Sequence, residues 1–339
     1  MNEDFFRNRL LQCIQFRLED ATLQDCDSFR LFNGYYEGLP GLVVDRYGNT
    51  LLISNHSRQP ESLEQDIDQT VDICLSNLPW IESILLKTRH STHSEERKGR
   101  FLHGQLLPKE ISENGIHYAI DLRLNQDDSF YPDTRNLRSW LAQHSQGKSV
   151  LNCFAYTGSL GIAALAGGAA ALVQTDLNAE ALALAQRSLT LNGFRQIMTL
   201  IKRDFFSAVN ALKKSNKLFD TVVLDSPFFS STRYGKVDLQ QQHTQLINKV
   251  RPLVAHEGRL IMINNALYVP GQQIIDEINE LAKGGYVSLE GRIEIPADIT
   301  GYPGTTLAQP PADPAPFNHP TKISILRITR KDKASATVN

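Results

Sequence analysis

The sequence predicts an α/β protein: a doubly wound sheet in the C-terminal part, preceded by a smaller α+β domain. Three observations carry that reading. From Lys148 onward, strand patterns alternate with helix patterns, the arrangement that builds a parallel sheet with ligands at the carboxyl ends of its strands. The region before it lacks that alternation and reads as short apolar runs punctuated by Gly and Pro. The 339 residues are more than one average domain needs. The expected divisions are 1–24 for an N-terminal helix, 25–120 for a central α+β domain, 121–331 for the sheet domain and 332–339 for a frayed polar tail.

Taken in order, residues 2–19 place Phe5, Phe6, Leu10, Leu11, Ile14 and Leu18 at helical spacing. Phe29–Gly34 and Glu37–Gly48 read as strand, turn, strand, and Leu51–Ser54 as a third strand. Ser62–Leu78 carries a helical period and Ile81–Leu86 another strand. The run from Lys87 to His103 is rich in Lys, Arg and His, and is either a solvated loop or a phosphate contact, with Glu95 and Glu96 diluting its charge. In the sheet domain the expected strands are Ser149–Phe154, Ala170–Thr175, Ile197–Ile201, Phe219–Leu224, Arg259–Ile263, Tyr286–Leu289 and Lys322–Ile328. The expected helices are Gly158–Ala166, Ala179–Leu191, Phe205–Lys213, Leu239–Val254 and Ile274–Ala282. Pro296–Pro320 is rich in Pro and Gly and reads as a long loop near the site.

Composition narrows the function. An apolar fraction of 41% and a charged fraction of 21% exclude a disordered chain, a collagen and a disulfide scaffold. With 35 Lys and Arg against 37 Asp and Glu the net charge is −2, which excludes a uniformly basic coat for nucleic acid and leaves room only for a local basic face. The four Cys form no C-x-x-C pair, so neither a zinc site nor a dithiol motif is expected, and a reducing compartment suits them. No run of ~18 apolar residues is present to span a membrane, and Met1–Arg9 has no apolar signal core. A cytoplasmic protein without membrane or metal partners is expected. The oligomeric state is open, a homodimer included.

Candidate site residues cluster where the strands of the sheet domain end. The first strand leads into Asn152-Cys153-Phe154-Ala155-Tyr156-Thr157-Gly158, a Gly turn that either admits a ligand close to the backbone or is a plain strand-to-helix turn. It is not the G-x-G-x-x-G dinucleotide fingerprint, which disfavours a nicotinamide oxidoreductase. Asp176 ends the second strand 18 residues beyond Gly158, with Asn178 at the next helix start. An acid there can accept both hydroxyls of a ribose, or cap the helix. Asp204-Phe205 after the third strand can hydrogen-bond and stack an adenine, or again cap a helix. The fourth strand ends in Asp225-Ser226-Pro227-Phe228-Phe229, where Pro stiffens the turn and an aromatic can stack a base turned out of its helix. Asn264-Asn265 end the fifth strand, with amides able to hold a base edge or to cap.

In chain order these residues resemble the bacterial large-subunit ribosomal RNA methyltransferases, class I enzymes with a Rossmann-like sheet that use S-adenosyl-L-methionine. Asn33-Gly34 to Gly48 is similar to the family's central-domain signature NGE-x-DGLPGLVVDRYG. Asp128–Arg138 is similar to its TGFFLDQR-x-NR segment, and Asn152–Gly158 to its D-x-F-x-YTG. The resemblance covers about residues 28–330. It implies that Tyr156, Thr157 and Gly158 line the methionine end of the cofactor, with Asn152 and Phe154 beside them. It assigns Asp176 to the ribose and Asp204 to the adenine amine, and it lets Phe130, Asp133 and Arg135 close over the cofactor. Asp225, Ser226, Pro227 and Phe228 would face the methyl acceptor, and Phe229, Asn264 and Asn265 would hold it. The implied partner is RNA, ribosomal in this family.

Three departures qualify what the resemblance implies. The family's N-terminal PUA RNA-binding module is expected to be missing, the usual Asp-Pro-Pro reads Asp225-Ser226-Pro227, and no Cys follows the fifth strand. The cytosine carbon-5 members need that Cys, because a poor carbon nucleophile must first be activated by thiolate addition. Phe229-Ser230 and Asn264-Asn265 resemble the guanine nitrogen-7 branch instead, in which a ring lone pair takes the methyl without a general base and catalysis reduces to alignment. The alternatives are an exocyclic amine or small-molecule acceptor, and a non-catalytic RNA-binding or ribosome-assembly protein that keeps the fold.

Overall fold

The computed structural model describes residues 3–232, 234–240 and 242–336. The chain divides into two units, one running to Asp133 and taking in Pro296–Gln309, the other made of Thr134–Ile295 and the residues from Pro310. The first unit therefore extends past the expected boundary at 120 and recruits a second stretch of chain. The expected readings for residues 1, 2 and 337–339 lie outside the described residues.

The first unit opens with helix α1 (Glu3–Leu18). Its buried side is Phe6, Leu10, Cys13 and Ile14, whereas Phe5 and Leu18 of the expected stripe are exposed. Strand β1 (Ser28–Asn33) leads into a helical turn α2 (Gly34–Glu37), then β2 (Leu42–Tyr47), β3 (Thr50–Asn55), helix α3 (Glu64–Asn77) and β4 (Ser83–Thr88). Gly34 is obligatory, since a Cβ there would lie 2.0 Å from the Leu39 carbonyl oxygen. Helix α4 (Ser94–Lys98), strand β5 (Arg100–His103) and the hairpin β6 (Glu110–Glu113) and β7 (Ile116–Ala119) complete it, and β1 to β5 form one sheet in sequence order. The basic run from Lys87 to His103 is thus not all loop. It holds regular structure, Lys87 is buried and donates to the Asp127 carbonyl (2.9 Å) and Asp128 (3.2 Å), and Arg89 pairs with Asp127. Burial and acidic partners take up Lys87 and Arg89, while Lys98 and Arg100 stay exposed.

The second unit begins with helix α5 (Arg135–His144), which pattern reading did not anticipate. Strand β8 (Ser149–Cys153), helix α6 (Ser159–Ala166), β9 (Ala171–Asp176), α7 (Ala179–Leu191), β10 (Ile197–Lys202), α8 (Phe205–Lys214) and β11 (Phe219–Asp225) then alternate as expected. Asn178 caps α7 by accepting from the Glu180 and Ala181 N–H groups, and Asp204 caps α8 in the same way, which is why these helices start where they do. A hairpin, β12 (Phe229–Thr232) and β13 (Gly235–Asp238), precedes helix α9 (His243–Val250), so the helix expected over 239–254 is shorter. Strand β14 (Val254–Asn264), helix α10 (Gly271–Ala282), β15 (Val287–Ile293) and β16 (Lys322–Ile328) follow.

The sheet order is β10-β9-β8-β11-β14-β16-β15. It is mixed rather than wholly parallel: β16 runs antiparallel to both β14 and β15. A final strand can insert beside β14 in that direction because a long connection, residues 294–321, separates it from β15. That segment is not all loop either, since Ala297–Thr300 forms a helical turn and Asp298 is buried in the first unit, accepting the Arg30 N–H at 3.0 Å. The tail is not frayed at Ala334, whose carbonyl accepts the His256 N–H at 2.7 Å. Helices α8, α9 and α10 share one core with the sheet through Phe205, Leu212, Leu246, Ile247, Ile274 and Ile278.

Candidate active site

The carboxyl ends of β8, β9, β10, β11 and β14 form one edge of the second unit's sheet. After β8 the backbone turns through left-handed residues at Phe154 (φ 56°), Tyr156 (51°) and Gly158 (79°). Two non-glycine residues in that region store strain. They are held by Asp176 at the end of β9, whose Oδ2 accepts the Tyr156 N–H and whose Oδ1 accepts the Asn178 N–H, both at 2.8 Å. Each carboxylate oxygen keeps a second lone pair, so the acid can grip the loop and still accept from two hydroxyls. Gly158 is required by packing: a Cβ would meet that of Ala185 at 2.6 Å and the Gln174 amide at 2.7 Å. The side-chain direction at that glycine is filled by Gln174 and Ala185.

Beside this loop lies a cleft of about 500 Å³, lined by Phe154, Thr175, Asp176, Leu177, Asp204, Phe205 and Pro227, among others. Phe154 stacks on Phe205 at 4.7 Å. Asp204 spends Oδ1 on the α8 cap, and its Oδ2 accepts the Thr232 hydroxyl at 2.7 Å. A largely apolar cleft lined by two acids matches the chemistry of a nucleoside site.

Polar groups farther along the edge are left over. Asn152 donates through Nδ2 to Gln174 (3.0 Å), and its buried Oδ1 has no partner among the described residues. The same holds for the Ser226 hydroxyl, for Asn264 Nδ2 and for Asn265 Oδ1. Register brings these together: Asn152 pairs with Val223 of β11, and Asp225, just before Ser226, pairs with Ile263, just before Asn264. Orphaned buried polar atoms each cost about 1–3 kcal/mol, so four converging on three adjacent strand ends mark a place completed by something else. Asn264 is fixed by its neighbours, because Oδ1 accepts the Ala266 N–H at 2.9 Å and Nδ2 is therefore the group presented. Phe228 and Phe229 are exposed on the same edge.

Of the remaining expected residues, Thr157 is buried in the loop, Asp225 ends β11, and Arg135 starts α5, while Phe130 and Asp133 belong to the first unit. Phe130 is a core residue there, packed on Tyr118 at 5.0 Å, its carbonyl accepting the Tyr47 hydroxyl. Sequence reasoning missed Gln174, Thr232 and Lys322. Gln174 and Lys322 stand out afterwards as polar residues inside apolar strands. Lys322 lies opposite Asn264 in β16, is buried, and donates to the Ala266 and Pro320 carbonyls at 2.9 and 2.7 Å. Burial pulls its pKa down to about 8. Cys153 is buried, and burial above all pushes its thiol up to about 12. Thr232 gave no local signal.

Sheet order and the two acids at the strand ends define a class I methyltransferase fold. A candidate methyltransferase complexed with SAH shares it, with a TM-score of 0.84 and 22% identity over 97% of this chain and 82% of that chain. The chain belongs to the S-adenosylmethionine-dependent methyltransferase family, whose profile matches residues 30–303. It is 33% identical over 233 residues to ribosomal RNA large subunit methyltransferase I of Aeromonas salmonicida, covering 68% of this chain and 59% of the relative. The same-named protein of Vibrio cholerae is 29% identical over 318 residues, covering 89% and 79%. The chain thus spans about three fifths of the length of the first relative and about four fifths of the second.

Proposed function

We propose that this protein transfers a methyl group from S-adenosylmethionine to a base of ribosomal RNA, with a guanine ring nitrogen as the acceptor rather than cytosine carbon-5. The observation that carries the reading is the set of four buried polar atoms on Asn152, Ser226, Asn264 and Asn265 that lack a partner among the described residues, on the same sheet edge as a cleft lined by Asp176 and Asp204. When bound, the cofactor supplies a methyl carbon on a sulfonium, which a nitrogen lone pair takes directly. Asp176 holds the ribose hydroxyls, and Phe205 and Leu177 flank the adenine. Asp204 and Thr232 mark that slot's far end. The loop from Phe154 to Gly158 holds the methionine end, with Asn152, while Arg135 and the first unit's Phe130 and Asp133 belong to the cofactor set by resemblance alone.

On the acceptor side, the Asn264 Nδ2 donor and the Asn265 Oδ1 acceptor read a base edge. Phe228 and Phe229 supply stacking surface, and Asp225-Ser226-Pro227 positions the reacting atom. Nitrogen is favoured because carbon-5 chemistry requires a thiolate. Cys153 is held as a buried thiol, and Cys13, Cys26 and Cys74 are buried in the first unit. Nucleoside mass spectrometry of large-subunit RNA from a deletion strain tests this: one methylguanosine should disappear and return on complementation. An unchanged modification set would end the RNA reading, and loss of a methylcytidine would end the nitrogen assignment.

A further inference from the structure

The net charge of −2 and the ion pairs that occupy Lys87 and Arg89 leave open how such a protein holds a polyanion. Several lysines and arginines face acids, among them Arg17, Arg30, Lys87, Arg89, Arg259 and Arg330. One face of the second unit is different. Residues 205–217, from the start of α8 to just beyond it, contain no Asp or Glu, and neither do residues 243–253, which comprise α9 and the 3-10 turn after it. Between them they carry Lys213, Lys214, Lys217, Lys249 and Arg251.

These cations form one continuous surface. Helix α8 packs against the 3-10 turn that begins at Arg251. Lys213 and Lys249 are close enough that, after burial, the Lys249 ammonium is what depresses the pKa of Lys213. Lys249 sits 5.9 Å from the ring centre of Phe206, and Arg251 sits 5.4 Å from that of Tyr286. Phe206 in turn packs on Gly235 of β13, so the surface adjoins the hairpin whose Ser230 and Thr232 line the cleft. None of Lys213, Lys214, Lys249 and Arg251 has an acid partner among the described residues. Among acids on adjoining elements, Asp238 is taken by Lys236, Glu277 faces His243, and Asp332, which lines a pocket with Arg251, is taken by Arg330. Like charges gathered without counter-charge cost stability unless a polyanion offsets them. The neighbouring α10 carries Asp276, Glu277 and Glu280 and no base, so the charge on this side of the sheet is segregated.

We propose that the acid-free face of α8, α9 and the following turn is where this protein holds the phosphate backbone of its RNA, with Lys213, Lys249 and Arg251 as the principal contacts. The proposal rests on the RNA reading above and locates its electrostatic part on the methyltransferase unit itself.

The test is the salt dependence of binding to a labelled oligouridylate, followed by fluorescence anisotropy from about 50 to about 200 mM KCl. Each phosphate contact contributes about 0.7 to the log–log slope on a single strand, so the triple variant Lys213→Gln, Lys249→Gln, Arg251→Gln should flatten it by about 2. The control pair Lys98→Gln, Arg100→Gln, in the basic run of the first unit, should leave it unaltered. Calorimetric affinity for S-adenosylhomocysteine should be the same in all three proteins, which reports an intact sheet. A triple variant with the parental slope, or a control pair that flattens it equally, overturns the assignment of this face while the RNA reading stands. A parental protein that binds no oligouridylate at any of these salts overturns both.

Discussion

The interior of the first unit and the sheet edge of the second treat buried polar groups in opposite ways. In the first unit Arg17 and Glu37 are fully buried, paired at 2.8 Å, and supplied with further bonds: Arg17 donates to the Cys13 and Asp298 carbonyls, and Glu37 accepts the Asn33 N–H. Asp45 is buried against Arg30, at 2.9 and 3.1 Å. At the sheet edge, Asn152, Ser226, Asn264 and Asn265 bury polar atoms with no partner. Both arrangements incur the same desolvation cost. The Arg17–Glu37 and Arg30–Asp45 pairs recover it within the chain, whereas among the described residues the four sheet-edge atoms do not, and on the proposed reading the difference separates residues kept for stability from residues kept for a ligand.

That contrast breaks first at Glu37. Glu37→Gln leaves the Arg17 guanidinium buried without its counter-charge and should cost about 3–5 kcal/mol in urea denaturation. A loss below about 1 kcal/mol would mean the pair is not structural.

Lys322 belongs to the second region but is satisfied only by carbonyls. Its pKa is lowered, so the unfolded chain binds its proton to higher pH than the folded one. Stability gained from this group should therefore rise as pH climbs from about 8 into the ordinary lysine range, by at most about 3 kcal/mol, and that rise should be missing from Lys322→Met. Parallel curves for the two proteins would refute it.

Asp176→Ala removes an acceptor shared by the loop and the proposed ribose site. Donor affinity should fall by about 1.5–3 kcal/mol, roughly 10- to 150-fold by calorimetry. An affinity within twofold of the parent would remove Asp176 from the cofactor site.

The smallest expected change sharpens the comparison most. Ser226→Ala deletes a buried hydroxyl that has no partner, so stability should hold or increase by up to about 1 kcal/mol while methyl transfer drops. Were the variant to lose stability and keep full activity, Ser226 would be classed with the first unit's residues.

Much of the second unit was legible because its signals are local. Helix α7 starts and stops where Asn178 and the Ala/Leu period place it, and the acids at 176 and 204 follow from the lengths of one helix and one strand. The hairpin at Phe229–Asp238 escaped because its Ser, Thr, Gly and Lys carry no period. The antiparallel β16 escaped because a strand's pattern does not encode its direction. At Asp204 one oxygen makes the expected cap on α8, and the other accepts the Thr232 hydroxyl. The ion pairs at the start of the basic run escaped for a related reason: the acids that meet Lys87 and Arg89, Asp128 and Asp127, arrive from about 40 residues away.

By itself the sequence determined the alternation of elements, the acids at the strand ends and the lack of a thiol after the fifth strand, because each depends on neighbours within a turn or a strand. Tertiary structure alone decided which charges are neutralised, which buried amides are left without partners and where an acid-free cationic face survives. Hydrogen bonding and ion pairing act between groups that only folding brings together, so the sequence lists the donors, the acceptors and the charges, and the fold determines which of them remain for a ligand.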